Sequence, residues 1–247
     1  MIKHFTHCLL LSTMLFAQNT LASNNKQKIH FVTEDKQKIV AWLELPTDTL
    51  NKPPVIILIH QGGSSKDEWT DLALWQMLLN NGYAVVAYDI RQHGESSTDK
   101  DDIWDLFNNP KRAPLDLQAA IQFIQSHPKL NANKIGIIGA SVGANLAVMA
   151  SAIPEYPIQS VVAISGKVEA AQNLANADTP LKGNNLFAIA SEKEQEGLRK
   201  QWAQEFYQQA IEEKKVKIAK GNAHGSSILI ENPELNTDII QWLNKTL

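Results

Sequence analysis

Residues 137 to 151 read IIGASVGANLAVMAS, a run of strand-forming side chains that passes into a run of helix-forming ones. At the junction one serine stands between two glycines, in the order Gly139-Ala140-Ser141-Val142-Gly143. A serine at a tight strand-to-helix turn has a strained backbone and a hydroxyl lifted clear of the sheet. The residues two places either side must be small, because strand and helix nearly collide there. A purely structural turn more often pairs Asn or Asp with glycine and needs no hydroxyl at its apex. The chemistry this geometry suits is attack on a carbonyl carbon through a covalent acyl intermediate.

A serine hydroxyl is a weak nucleophile at neutral pH and needs a base, which in turn needs an orienting acid. Among the histidines, His30 falls in the leading hairpin, His127 at a helix end, and His60 and His93 in loops of their own. His224, in KGNAHGSSIL, follows the last strand in a loop with two glycines, where an imidazole can overhang the sheet; the plain alternative is a loop histidine with no role. The acid should lie between serine and histidine, at the end of the preceding strand. NLFAIASEKEQEG supplies Glu192, Glu194 and Glu196 there. Glu194 is taken as the acid and Glu192 as the alternative. All three would equally suit a solvated helix start, where acids complement the dipole. For the oxyanion, one donor is the Val142 N–H; the other comes from IHQGGSS, at Gly62 or alternatively Gln61. A glycine pair after a strand also fits a phosphate cradle, but the Lys-Ser/Thr ending of a P-loop is missing.

Several elements must position these groups. KIHFVTEDKQKIVAWLELP alternates on both sides of EDKQ, as an antiparallel hairpin does. PVIILIH, YAVVAYD, KIGIIG, IQSVVAIS, NLFAIA and VKIAK follow as short, nearly continuous apolar runs. Such runs mark strands buried on both faces, as in a parallel sheet covered by helices. Helical stretches fall between them. SKDEWTDLALWQMLLNNG opens on a capping box, Ser65 with Glu68, and stops at Gly82. APLDLQAAIQFIQSH stacks Leu117, Ile121 and Ile124 before Pro128 halts it. ANLAVMASA follows the serine; a helix over 196–213 and ELNTDIIQWLNKTL complete the set. This alternation predicts an α/β fold with a mostly parallel central sheet, an antiparallel N-terminal hairpin and helices on both faces. Chemistry in such sheets gathers beyond the carboxyl ends of the strands, where Ser141, Glu194, His224 and the Gly62 loop lie.

With 247 residues, 44% of them apolar, the chain suits one core-bearing domain. A formal charge of −3 offers nucleic acid no electrostatic reason to bind. Residues 1–22 have the order of a secretory signal peptide: MIKHFTH, the apolar CLLLSTMLFA, then small residues at Thr20 and Ala22. The apolar run is too short for a stable membrane span. Cleavage near Ala22 would leave residues 23–247 with 22 Lys+Arg against 26 Asp+Glu, a net −4, and without Cys8. A chain so exported has no thiol chemistry and no disulfide to staple it, and a bacterial periplasm or the exterior is its expected location.

Ser141, Glu194 and His224 in this order on an alternating chain resemble the α/β-hydrolase fold over nearly all of the mature length. HQGGSSKDEW resembles the family's oxyanion loop. YDIRQHGESS resembles its Asp-x-Arg-Gly-His-Gly-x-Ser segment, with Gln92 at the first glycine. GASVGANLA and AHGSSIL resemble the elbow and histidine loops of small bacterial members akin to dienelactone hydrolases and serine-aminopeptidase-like hydrolases. The resemblance implies that Asp89, Arg91, His60 and His93 brace loops rather than react. It also implies that residues 166–184 are too few for a lid domain. The chain departs from the family pattern in Ala144, where glycine is common, and in a glutamate acid, where aspartate is usual. Trp104 and Phe107 are candidates for a pocket wall, or for packing their loop down. The expected activity is cleavage of a carboxylic ester, or of a lactone or amide, by a Ser-His-Glu triad with neither cofactor nor metal. The expected partner is a small ester or peptide-like substrate. A peptidase of the serine-aminopeptidase type and a non-catalytic hydrolase-like binding protein are the rivals.

Overall fold

A computed structural model describes residues 25–47, 51–98 and 101–247. The expected signal peptide, Cys8 included, lies outside the described residues. Eight strands form one sheet: β1 (Gln27–Val32), β2 (Lys38–Glu44), β3 (Val55–Ile59), β4 (Ala84–Tyr88), β5 (Ile135–Ala140), β6 (Ile158–Ile164), β7 (Asn184–Ser191) and β8 (Ile211–Ala219). Their spatial order is β1-β2-β4-β3-β5-β6-β7-β8. The β1–β2 hairpin is antiparallel and β2 runs antiparallel to β4; from β4 to β8 all neighbours are parallel. The chain moves one way from β3 to β4 and then crosses back over β3 to reach β5. This reversal opens a crevice above the carboxyl ends of β3 and β5.

The helices are α1 (Asp67–Thr70), α2 (Ala73–Asn80), α3 (Ile103–Leu106), α4 (Ala113–Ser126), α5 (Val142–Ser151), α6 (Val168–Leu174), α7 (Leu198–Gln209), α8 (Ser227–Glu231) and α9 (Glu234–Thr246). All five β3 residues are fully buried, as a strand covered on both faces requires. Val55, Ile57 and Ile59 pack into one core with Leu117 and Ile121 of α4 and Leu146 of α5. Ile56 and Leu58 face the other core, with Leu74 and Leu78 of α2 and Ile239 and Leu243 of α9. Each such side chain withdrawn from water contributes about 1.5–3 kcal/mol. Only α6 and its flanking turns lie between β6 and β7, at residues 165–183, so among the described residues no lid domain stands over the crevice.

Two local expectations fail. The helix expected over 196–213 ends at Gln209, and β8 starts at Ile211, opposite Asn184 of β7. Residues 211–215 read IEEKK, a weak strand sequence, but pairing with β7 satisfies their backbone, and the charged side chains suit a sheet edge. The capping box at Ser65 does not form either. Glu68 turns its carboxyl to the Gln61 N–H at 3.3 Å, and the helix breaks into α1 and α2 around Asp71 and Leu72.

Candidate active site

Ser141 stands between β5 and α5 at φ 53 and ψ −110, a strained conformation for a non-glycine residue. The flanking glycines are sterically required. A Cβ on Gly139 would lie 2.1 Å from the Gly143 carbonyl oxygen, and one on Gly143 would lie 2.2 Å from that of Ile59. The Ser141 N–H donates to the Ile164 carbonyl at 2.8 Å, pinning the turn to β6. Among the described residues the Ser141 hydroxyl makes no hydrogen bond, and the residue lines the crevice pocket.

The three glutamates after β7 have different surroundings. Glu192 and Glu196 are exposed, whereas Glu194 is 4% exposed. Gln195, Glu196 and Gly197 all have positive φ, so the chain doubles back after Glu194 and α7 starts only at Leu198. Glu194 Oε1 accepts from His224 Nδ1 at 2.5 Å. The carboxylate can only accept, which places the Nδ1 proton on the imidazole and leaves Nε2 free to act as a base. Glu194 Oε2 accepts from the Ser165 hydroxyl at 2.8 Å, and the Ser165 oxygen accepts from the Gly225 N–H at 3.0 Å. Arg199 Nε lies 3.2 Å from Glu194 Oε1, and its Nη1 donates to the Ser165 carbonyl at 2.7 Å. The buried carboxylate is therefore held by a histidine, a serine and an arginine together.

The loop after β8 carries His224 to the elbow. A Cβ placed on Gly225 would stand 3.6 Å from the Ala140 Cβ and 1.9 Å from Gln61 Oε1, so this backbone packs on the residue before Ser141 and on the oxyanion loop. The structure thus joins Glu194 to His224 directly and brings the histidine loop against the serine turn. The hydrogen bond from Ser141 to His224 is not formed; contacts of this kind commonly tighten only with substrate in place.

Three successive N–H groups in the oxyanion loop face different partners. Gln61 N–H donates to Glu68, and Gly63 N–H donates to His93 Nε2 at 3.1 Å. Gly62 N–H, between them, has no partner among the described residues. Gly62 itself needs no left-handed backbone; the positive φ of 76° belongs to Gly63. Val142 opens α5, where backbone N–H groups lack intrahelical acceptors, and Gly62 and Val142 line the same pocket as Ser141.

The residues assigned to bracing do brace. Burial lowers His60 to about 4, so the ring is neutral; it accepts from the Ile90 N–H at 3.0 Å and donates to the Gln61 carbonyl at 2.7 Å. His93 bonds the Arg91 carbonyl at 3.1 Å while it takes the Gly63 N–H. Asp89, fully buried, accepts from Lys66 N–H, Lys66 Nζ and Glu95 N–H at 2.7, 2.8 and 2.8 Å. Arg91 is held by Asp116 and Asp35. These contacts fix both ends of the oxyanion loop.

The pocket encloses about 470 Å³ and is lined by Ser141, Val142 and Gly62, by Ile103, Trp104 and Phe107, and by Lys167 and Arg199. Phe107 packs its ring 3.5 Å from the Gly62 Cβ position, while Trp104 is 72% exposed. Among the described residues no group of three or more His, Cys, Asp or Glu side chains could hold a metal, and no helix is long and apolar enough to cross a membrane. Sequence reasoning missed Ser165, Arg199 and the turn of Glu68 toward the loops. Ser165 had a signal in its place at a strand end. Arg199 had none, because only the packing of α7 aims it at Glu194.

Residues 54–221 match the alpha/beta hydrolase fold family, and the chain belongs to it. No curated protein matches the sequence. The fold is similar to that of the esterase Pf2001 of Pyrococcus furiosus, at TM-score 0.70 and 21% identity over 90% of this chain and 92% of that one. It is similar also to the hypothetical protein PA2218 of Pseudomonas aeruginosa, at TM-score 0.72 and 16% identity over 98% and 100% of the two chains. Est1E of Butyrivibrio proteoclasticus, solved with ferulic acid bound, aligns at TM-score 0.68 and 14% identity over 87% of this chain and 99% of its own. At such identities the likeness speaks for the fold.

Proposed function

We propose that the protein is a serine hydrolase that cleaves carboxylic esters through an acyl-enzyme. Glu194 accepts a hydrogen bond from His224 Nδ1, and Nε2 serves as the general base. Nε2 takes the Ser141 proton as the oxygen attacks the substrate carbonyl carbon. The carbonyl oxygen gains negative charge and takes hydrogen bonds from Gly62 and Val142. The tetrahedral intermediate collapses, His224 returns its proton to the leaving alcohol, and the acyl group stays on Ser141. Water then repeats the sequence and frees the acid. Each oxyanion donor of this kind typically lowers the barrier by about 3–4 kcal/mol.

The observation that carries the proposal is the 2.5 Å bond between Glu194 and His224, on a loop packed against Ala140, the residue before a serine held at φ 53. A binding module has no need of a strained serine and a free loop N–H in one pocket, with an oriented imidazole on the loop packed against that serine's turn. The family and its esterase neighbours support hydrolysis, and the apolar wall of Ile103, Trp104 and Phe107 favours an ester with an apolar or aromatic portion. Ser141→Ala should abolish turnover of a short-chain nitrophenyl ester, and labelling by a fluorophosphonate, while leaving the circular dichroism unchanged. Turnover that survives the substitution would end the proposal. We also propose that residues 1–22 direct export, so that the mature protein recovered from outside the cytoplasm would begin near Ser23.

A further inference from the structure

One carboxyl beside the crevice has no part in the chemistry above. Glu68 Oε1 accepts from the Gln61 N–H at 3.3 Å, and the Ser64 and Ser226 hydroxyls face the same carboxyl. Gln61 and Ser64 belong to the oxyanion loop, whereas Ser226 stands two residues beyond His224. A second tie joins these two loops, because the Gln61 side chain lies where only a glycine at 225 leaves room. Two oxygens at the junction, Glu68 Oε2 and Gln61 Oε1, are buried without an aligned hydrogen-bond donor among the described residues. A buried acceptor without a donor is costly, and a proton on the carboxyl would supply one.

We propose that Glu68 is a positioning residue for the hydrolytic centre, clasping the oxyanion loop to the histidine loop so that the Gly62 donor and the His224 base keep their register. This rests on the serine-hydrolase function proposed above. A carboxyl suits the task, since one group can accept from a backbone N–H and from hydroxyls on two loops. Its charge is also adjustable. Burial pushes Glu68 up to about 7, against the opposing pull of the nearby Ser64 hydroxyl, the Gln61 N–H, the Ser226 hydroxyl and His224. His224 is the ionisable group facing it across the junction. On its own segment, Lys66 turns to Asp89 and Glu95, and Asp67 accepts from the Trp42 indole.

The test compares wild type, Glu68→Ala and Glu68→Gln in steady-state hydrolysis of a neutral nitrophenyl ester from pH 5 to 9. Displacing an oxyanion donor acts on the transition state, so Glu68→Ala should lower kcat by about tenfold or more with KM little changed. Glu68→Gln keeps an acceptor for Gln61 and gains a donor, so it should stay within about threefold of wild-type kcat and lose the ionisation near pH 7. Stability offers a reading independent of turnover. The folded carboxyl, at about 7, still holds a proton that the unfolded one has released at its ordinary 4.5. Stability therefore falls as pH rises between those values, and Glu68→Gln should flatten that slope. Wild-type kcat in folded Glu68→Ala, a Glu68→Gln profile superimposed on wild type, or Glu68→Gln as slow as Glu68→Ala would each overturn the inference. If Glu68→Ala does not fold, the Glu68→Gln profile decides. Failure of wild type to take the fluorophosphonate would instead remove the hydrolase function beneath it.

Discussion

Replacing Asp89 by Asn removes one charge from the frame behind the oxyanion loop while nearly conserving volume. The Lys66 side chain is 1% exposed and that of Asp89 0%, with 2.8 Å between ammonium and carboxylate. Burial alone would lower the Lys66 ammonium, yet Asp89 and Glu95 hold it above its ordinary value. Without the Asp89 charge the buried cation keeps the half-exposed Glu95, at 2.9 Å, and the face of the Trp42 ring, 5.3 Å away. Breaking one side of a buried pair costs about 3–5 kcal/mol. Glu95 offsets part of that, so Asp89→Asn should lose about 3 kcal/mol. In urea the midpoint should fall by about 1 M, given a slope near the upper end of the usual 1–3 kcal/mol/M for a chain of this size. The thermal midpoint should fall by about 6–12 °C. Lys66→Met added to Asp89→Asn should recover part of the loss, since no orphaned charge is then left inside. An Asp89→Asn protein within about 1 kcal/mol of wild type would refute the account of this pair.

The remaining predictions concern the triad and the elbow. Glu194→Gln should lower kcat by about 10³–10⁴-fold through loss of the imidazole's orienting partner, while Glu192→Gln, on an exposed side chain, should leave it unchanged. Equal losses in the two variants would mean that the acid is misassigned. Gly143→Ala drives a Cβ to 2.2 Å from the carbonyl oxygen of Ile59, the fully buried last residue of β3, which cannot yield. It should cost about 3 kcal/mol and abolish fluorophosphonate labelling, and an unchanged urea midpoint would contradict the steric argument.

The elbow was legible because its restrictions are local. Small residues two places either side of Ser141 are dictated by the crossing of a strand and the helix that follows it, and those steric demands appear within five residues. The parallel strands were equally legible, since burial on both faces leaves continuous apolar runs such as VIILI. Where a helix yields to a strand between Gln209 and Ile211 was not, because IEEKK joins the sheet only through pairing with β7. The choice among Glu192, Glu194 and Glu196 was likewise open, as alternate glutamates in one loop look alike until the chain doubles back. The residues alone thus determined the sheet, the tight turn at Ser141 and the chain order of serine, glutamate and histidine. Tertiary structure decided which glutamate meets His224, that Ser165 and Arg199 hold it, and that the Glu68 carboxyl turns from its own helix to the neighbouring loops. The bonds of Glu194 with His224 and of Ser165 with Glu194 and Gly225 join residues about 30 to 60 apart in the chain, and such distances leave no periodicity to read.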